Sequence, residues 1–332
     1  MSERKLSVAV VQGGPSSEAE VSRASAKSVA RALEAAGHRV VRLELDAFLA
    51  ESLRSGGYEV VFPVAHGAVG EDGSLQGVLE VLDMPYVGSD VLARALAMNK
   101  RIAKVLFAQA GLPVAPALDA LRGADAAALA EQALRELGER VVVKPCSNGS
   151  AIGVARFDQG ADVASLAAAI TAAWQVDDRV LVERFAPGAE VTCGVLGTAD
   201  EARALPPTEI RSPNDAFYTY QARYAPGRSE HLCPAPLGDA LVQRVQRIAV
   251  AAHRALGCRD LCRADFVVDV TGGDGAVTLL EVNTMPGFTV ASLYPEAAGV
   301  SGIAMTELCN GFVQAAFRRG APRRNRALAL PT

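Results

Sequence analysis

The sequence predicts an α/β protein of more than one unit: a parallel α/β unit first, then a small central α+β unit, then a C-terminal α+β unit. Three observations carry this. Strand-like and helix-like runs alternate over the first ninety or so residues, the pattern of a parallel sheet with crossover helices. Four β-rich stretches then follow and flank alanine-rich helical sequence, at 141–145, 152–157, 180–185 and 190–197. A long amphipathic run at 239–257 precedes two apolar strands, ADFVVDV and AVTLLEV. Half of the 332 residues are hydrophobic, enough apolar material for two or three packed cores.

In chain order, LSVAVVQ (6–12) reads as a buried strand. VSRASAKSVARALEAAG (21–37) reads as an amphipathic helix stopped by Gly37. HRVVRLEL (38–45) is a second strand, and YEVVFPVAHG (58–67) a third that runs into a glycine-rich turn. SLQGVLEVLDMPYVGS gives a short helix and strand, and a helical run from Leu92 leads to GLPVAPAL. Residues 202–236 are rich in Pro, Tyr and polar groups without period, so they read as a long functional or mobile loop. The basic, proline-interrupted tail GAPRRNRALALPT reads as a solvated end.

The net charge of −4 supplies no global field for nucleic acid or an anionic membrane, so an anionic substrate must meet local cations. No apolar run approaches the roughly 20 residues of a membrane span. MSERKLSVAV lacks the apolar core of a signal peptide, so a cytoplasmic location is expected. Six scattered cysteines, with Cys258 and Cys262 four apart and no companion pair, read as reduced thiols rather than a zinc site. Only five of the 33 basic residues are lysines, and Lys100, Lys104 and Lys144 fall in the middle of the chain.

Chemistry concentrates at four places. Arg263 and Asp265 lie two apart in one strand, and Glu281 and Asn283 two apart in the next, so each pair shares a face. Asp, Glu and Asn are hard oxygen donors of the kind Mg²⁺ takes together with nucleotide phosphates. An ordinary strand-end ion pair is the alternative. Lys144 interrupts an apolar strand, which needs an anion to meet its ammonium. The S-N-G-S-x-x-G that follows offers backbone N–H groups to phosphates, although it is not a Walker A loop. Glu183 with Phe185 could receive an adenine, or could simply mark a strand leaving the core. At the N-terminus, GGPSSEAEVS (13–22) looks like a phosphate cradle but carries two glutamates. Ser17-x-x-Glu20 has the spacing of a capping box, which leaves Glu18 for another purpose.

These blocks, in this order, resemble the D-alanine–D-alanine ligases of the ATP-grasp superfamily. The matching stretches include GGPSSEAEVS, HGAVGEDGSLQGVLE, AMNK, VVVKP with GSAIGV, VLVERF, FYTYQARY and LLEVNTMPGFTVASL, from Gly13 to about Leu293. The resemblance implies an ATP-grasp fold with an N-terminal substrate domain at 1–98, a central subdomain at 99–189 and a C-terminal subdomain at 190–320. The loop 202–236 and the tail 321–332 complete that division.

The resemblance also implies ATP-dependent joining of two D-alanines through D-alanyl phosphate, for peptidoglycan synthesis, by a cytoplasmic homodimer. Lys100, Lys144, Ser150, Glu183, Phe185, Glu190 and Arg223 would serve ATP. Asp265, Glu281 and Asn283 would hold two Mg²⁺, with Mn²⁺ an alternative. Glu18 and His66 would bind the first D-alanine, and Ser292 with Leu293 the second. Arg263 and the backbone of Gly287 would stabilise the oxyanion. Tyr224, with Ser150 and Glu18, would close the loop over the site as a lid. A tyrosine there also favours a dipeptide over an ester product.

Arg223 stands where a lysine is usual, Ala19 where a larger polar residue is, Asn99 where aspartate is and Ala151 where serine is. Those departures motivate an alternative, an ATP-grasp ligase of altered amino-acid specificity. A dinucleotide-binding module without catalysis is a further reading, and it is disfavoured because the first turn lacks G-x-G-x-x-G.

Overall fold

A computed structural model describes residues 4–213, 228–271 and 275–321. The chain divides into two compact units, residues 1–94 with 287–332, and residues 95–286. The helices after Pro286, which the sequence grouped with the C-terminal subdomain, therefore pack with the N-terminal residues.

The first unit is built on a parallel sheet. Strands β1 (Ser7–Gln12), β2 (Arg39–Glu44) and β3 (Val60–Pro63) lie in the order β2-β1-β3. β1 from Val8 to Val11 and all of β3 are apolar and buried, while β2 forms an edge with exposed positions. Helix α1 (Ala19–Ala35) connects β1 to β2. Helices α2 (Leu49–Ser55) and α3 (Ser74–Val81) follow, and α4 (Val91–Met98) begins at the end of the unit. The C-terminal helices here named α9 (Leu293–Val300) and α10 (Met305–Arg319) return to it, with α10 packed on α1. Phe62 of β3 meets Phe288 edge-on at 5.6 Å and Phe312 of α10 at 6.3 Å.

The second unit carries two antiparallel sheets. One has the order β4-β7-β5-β6, from β4 (Ala117–Leu121), β5 (Val141–Pro145), β6 (Ala155–Phe157) and β7 (Arg179–Arg184). Helices α6 (Ala126–Leu137) and α7 (Val163–Ala173) cover one face of it. Both start on side-chain caps: Asp125 accepts from Ala127 and Ala128 N–H, and Asp162 forms a capping box with Ser165.

The other sheet runs β11-β10-β8-β12-β13, with β9 (Arg203–Ala204) paired to β8. Its members are β8 (Ala189–Leu196), β10 (Thr208–Arg211), β11 (Glu230–Leu232), β12 (Leu261–Asp269) and β13 (Ala276–Asn283). Helix α8 (Asp239–Ala255) and helix α5 (Lys100–Gln109) close the core against it.

Three expectations are corrected. The helical run from Leu92 is two helices, α4 and α5, broken at Asn99, whose side chain caps α5 by accepting from Ile102 N–H at 3.1 Å. Asparagine thus keeps the capping chemistry of an aspartate. The 202–236 stretch is not all loop, since β9, β10 and β11 lie in it. The Ser17–Glu20 capping box does not form. The residue that caps α1 is Glu18, without a side-chain cap bond, and Glu20 is exposed and paired with Arg23.

Candidate active site

Strand periodicity explains which side chains reach a common cleft in the second unit. In β5, Val141, Val143 and Pro145 are buried, whereas Val142 and Lys144 point the other way. Glu183 of β7 stands opposite Val142, so it shares the face of Lys144 on the neighbouring strand. The two meet, with Lys144 Nζ 2.5 Å from Glu183 Oε2. Lys104 of α5 takes the other oxygen at 3.1 Å and also donates to the Ala115 carbonyl at 2.9 Å. Glu183 is only 3% exposed. Burial works to raise its pKa, but the Lys144 and Lys104 ammonium groups outweigh that and hold the carboxyl below its ordinary range. Burial likewise pushes the Lys104 ammonium below the usual lysine value, against the pull of Glu183.

The facing sheet contributes through β12 and β13. Cys262, Ala264, Phe266 and Val268 are buried in the core with α8, so Arg263, Asp265 and Val267 occupy the opposite face. In β13, strict alternation would put Glu281 on the same face as the core residues Val277 and Leu279. The register instead skips Leu280: Asp265 pairs with Glu281, but Phe266 pairs with Leu279. This β-bulge turns Glu281 and Asn283 away from the core, opposite Asp265 and Arg263 respectively. Arg263 donates to both oxygens of Asp265 at 2.8 and 2.7 Å, and Thr192 donates to Oδ1 at 2.7 Å. Lys100 Nζ lies 3.1 Å from Glu281 Oε2 and donates to the Asn148 carbonyl at 2.6 Å. Asn283 Oδ1 accepts from Met285 N–H at 2.8 Å.

The cleft holds about 1040 Å³ including its open mouth. Lys100, Lys144, Ser150, Glu183, Phe185, Glu190 and Glu281 all line it, with apolar walls from Val142, Val267 and Leu280. That combination of apolar walls and a few converging charges suits a purine with an anionic tail. Ser150 and Ala151 hold left-handed backbone at φ 51° and 55°, unusual for residues with a side chain. The Phe185 ring is flanked by the guanidinium groups of Arg140 and Arg156 at 4.5 and 4.7 Å. Arg223 and Tyr224 lie outside the described residues. The oxygen donors Asp265, in the middle of β12, and Glu281 and Asn283, at the end of the adjacent β13, fit a hard divalent cation in donor chemistry.

The first unit brings together a second group. Glu18, 8% exposed, sits at the start of α1 near His66. Ser16 Oγ donates to the His66 carbonyl at 2.6 Å. Glu71 accepts from Gly67 N–H at 2.6 Å, and its other oxygen is 3.8 Å from His66 Nδ1. Gly67 has φ 72°, and a Cβ there would fall 2.9 Å from Ser16 and 3.3 Å from Glu18 Oε2, so only glycine allows this approach. In the same unit a Cβ on Gly287 would sit 2.8 Å from Ser292 Oγ, which accepts from Thr289 N–H at 3.0 Å. Ser292 immediately precedes α9, whose first residue, Leu293, is buried.

Sequence reasoning missed Lys104, Thr192 and Arg156. The signal for Lys104 was its place one helical turn after Lys100 in a chain with few lysines. Thr192 and Arg156 gave no local signal.

Comparison with known proteins agrees with this architecture. A family model for the D-ala D-ala ligase C-terminus matches residues 106–314, and one for the N-terminus matches residues 46–89. A D-alanine–D-alanine ligase of Xanthobacter autotrophicus is 44% identical over 92% of this chain and 97% of its own. One from Syntrophobacter fumaroxidans is 42% identical over 96% and 99%. The crystal structure of the Bacillus anthracis ligase complexed with ATP superposes with a TM-score of 0.80 at 27% identity, covering 94% of this chain and 98% of that one. The Coxiella burnetii ligase gives the same score and identity, covering 95% and 94%. With its three-sheet α/β architecture, the chain belongs to the D-alanine–D-alanine ligase family and has its ATP-grasp fold.

Proposed function

We propose that this protein uses ATP to join two D-alanine molecules into D-alanyl-D-alanine, releasing ADP and phosphate, for peptidoglycan precursor synthesis in the cytoplasm. The observation that carries the reading is the charged cleft of the second unit, lined by Lys100, Lys144, Glu183 and Glu281, with Asp265 opposite Glu281 on the adjacent strand and Asn283 two residues beyond it. It lies in a chain related over nearly its full length to named D-alanine–D-alanine ligases.

A carboxylate is a poor acyl donor because oxide would have to leave. Transfer of the γ-phosphoryl group to the first D-alanine supplies phosphate as leaving group, and the amine of the second then attacks the acyl carbon. Lys100 and Lys144 hold the phosphate chain. Glu183 and Glu190 take the nucleoside, beside the Phe185 ring. Ser150 and the adjacent backbone cover the phosphates, with Arg223 and Tyr224 assigned to the covering loop. Asp265, Glu281 and Asn283 would hold Mg²⁺, which when bound neutralises phosphoryl charge. Lys100 pairs with Glu281 and Arg263 with Asp265.

Arg263, a permanent cation, serves the oxyanion that forms on the acyl carbon, together with Gly287 N–H. Glu18 receives the ammonium of the first D-alanine, with His66 beside its carboxylate, and Ser292 with Leu293 line the place of the second. A homodimer is the assembly we assign by family likeness.

ADP release by the purified protein tests this reading with a panel of D- and L-amino acids and Mg-ATP. Turnover that requires D-alanine supports it. A preference for another amino acid at either position favours the alternative ligase of altered specificity, and no amino-acid-dependent turnover rejects both.

A further inference from the structure

Strand β12 presents chemistry on both faces, and the cleft uses only one. On the core face Cys262 meets two other soft donors, His253 from the last turn of α8 and Cys258 from the connection to β12. One ligand atom from each lies within 4.8 Å of the others, and all three residues are buried. His253 Nδ1 is 3.1 Å from Cys262 Sγ. None of the three lines the nucleotide cleft. We infer that His253, Cys258 and Cys262 form a binding site for a thiophilic cation, with Zn²⁺ as its occupant.

The local fold builds two-thirds of this site. Helix α8 ends in a Schellman motif: Cys258 N–H donates to the His253 carbonyl at 2.9 Å and Gly257 N–H to the Arg254 carbonyl at 3.0 Å. Gly257 supplies the left-handed residue, at φ 70°. The motif folds Cys258 back over the turn that carries His253. β12 then delivers Cys262 four residues later, its side chain on the core face by strand alternation.

The donor set decides the class of ion. Two sulfurs and an imidazole select soft or borderline metals over Mg²⁺, whose oxygen donors lie on the other face of the same strand. Binding exchanges two S–H protons, released to solvent, for the cation. Two thiolates and a neutral imidazole leave a Zn²⁺ site with no net charge, which a buried position requires. Zinc prefers four donors. Cys193 of β8 pairs with Ala264 on the same face, but its Sγ is turned to the Leu205 carbonyl at 3.4 Å, so three protein ligands hold the ion and the fourth position is left to a neutral donor such as water. An ion here would pin the end of α8 to the start of the strand that bears Arg263 and Asp265.

Cobalt titration of the full-length protein, stripped with chelator and kept in excess Mg²⁺, tests the site. The expected result is a thiolate-to-cobalt charge-transfer band that saturates at one ion per chain and is discharged by Zn²⁺. Cys258→Ala, in a connecting turn, should abolish the band, and Zn²⁺ should raise the unfolding temperature of the wild type only. Absence of the band in the wild type, or its persistence in Cys258→Ala, overturns the inference. Ligase turnover measured alongside reports on the opposite face of β12, so failure of one reading leaves the other intact.

Discussion

Lys144 Nζ lies 2.5 Å from Glu183 Oε2, and that contact organises one wall of the cleft, because the same carboxylate also holds Lys104. Replacing Glu183 with Gln leaves two lysines of low exposure facing one another without a counter-charge. Loss of about 3–5 kcal/mol is expected, together with weaker ATP binding. The pH dependence follows from the depressed carboxyl. As pH falls below the ordinary 4.5 the unfolded chain takes up the proton first, so this contribution is present above 4.5 and lost as pH falls through the folded-state value. Urea unfolding across pH should show the gap between wild type and Glu183→Gln closing below that point. A constant gap would contradict the assignment.

Lys104 touches Glu183 and the Ala115 carbonyl, and under the proposed function it positions Glu183 for the nucleoside. Lys104→Met should raise the KM for ATP while leaving the KM for D-alanine near the wild-type value. Equal effects on both substrates would point to general loss of structure instead.

Arg263 grips Asp265 through both guanidinium arms while lying at the proposed oxyanion position. Arg263→Ala is expected to lower kcat about 10²–10³-fold, the usual effect of removing one oxyanion donor. ATP binding, read by equilibrium titration, should be largely retained. Loss of ATP binding alone would remove the oxyanion role.

Glu18 is buried at the start of α1, where Gly67 makes room for it. Under the proposed function, Glu18→Gln removes the charged partner of the substrate ammonium, about 1.5–3 kcal/mol, so the KM for D-alanine should rise roughly tenfold to a hundredfold. Steady-state kinetics with each substrate varied in turn separates this from an effect on ATP, which should be small.

Much of the site was legible because its residues break local rules. A lysine inside VVVKP and charged residues within apolar strands are costly unless they meet ligands or each other; Lys144 and Glu281 line the cleft, and Arg263 meets Asp265. The helix boundaries were legible to within a few residues because apolar periodicity and Gly37 or Gly257 mark them. What depended on register was not. The bulge at Leu280, which decides that Glu281 faces the cleft rather than the core, exists only in the pairing of β13 with β12. Lys104 and Glu183 are far apart in sequence, as are Thr192 and Asp265, so no spacing announces them. His253 and Cys258 are close in sequence, but their meeting depends on the helix end and Cys262 on the strand face. The Ser17–Glu20 motif failed by register too: α1 begins on Glu18 rather than Ser17, so Glu20 is its second helical residue, not its third, and pairs with Arg23.

The central claim is ligation through D-alanyl phosphate, and oxygen tracing tests it most directly. With D-alanine labelled by ¹⁸O in both carboxylate oxygens, each turnover should transfer one labelled oxygen to the released phosphate and leave the other in the amide carbonyl. Released phosphate without label, alongside dipeptide formation, would contradict the account.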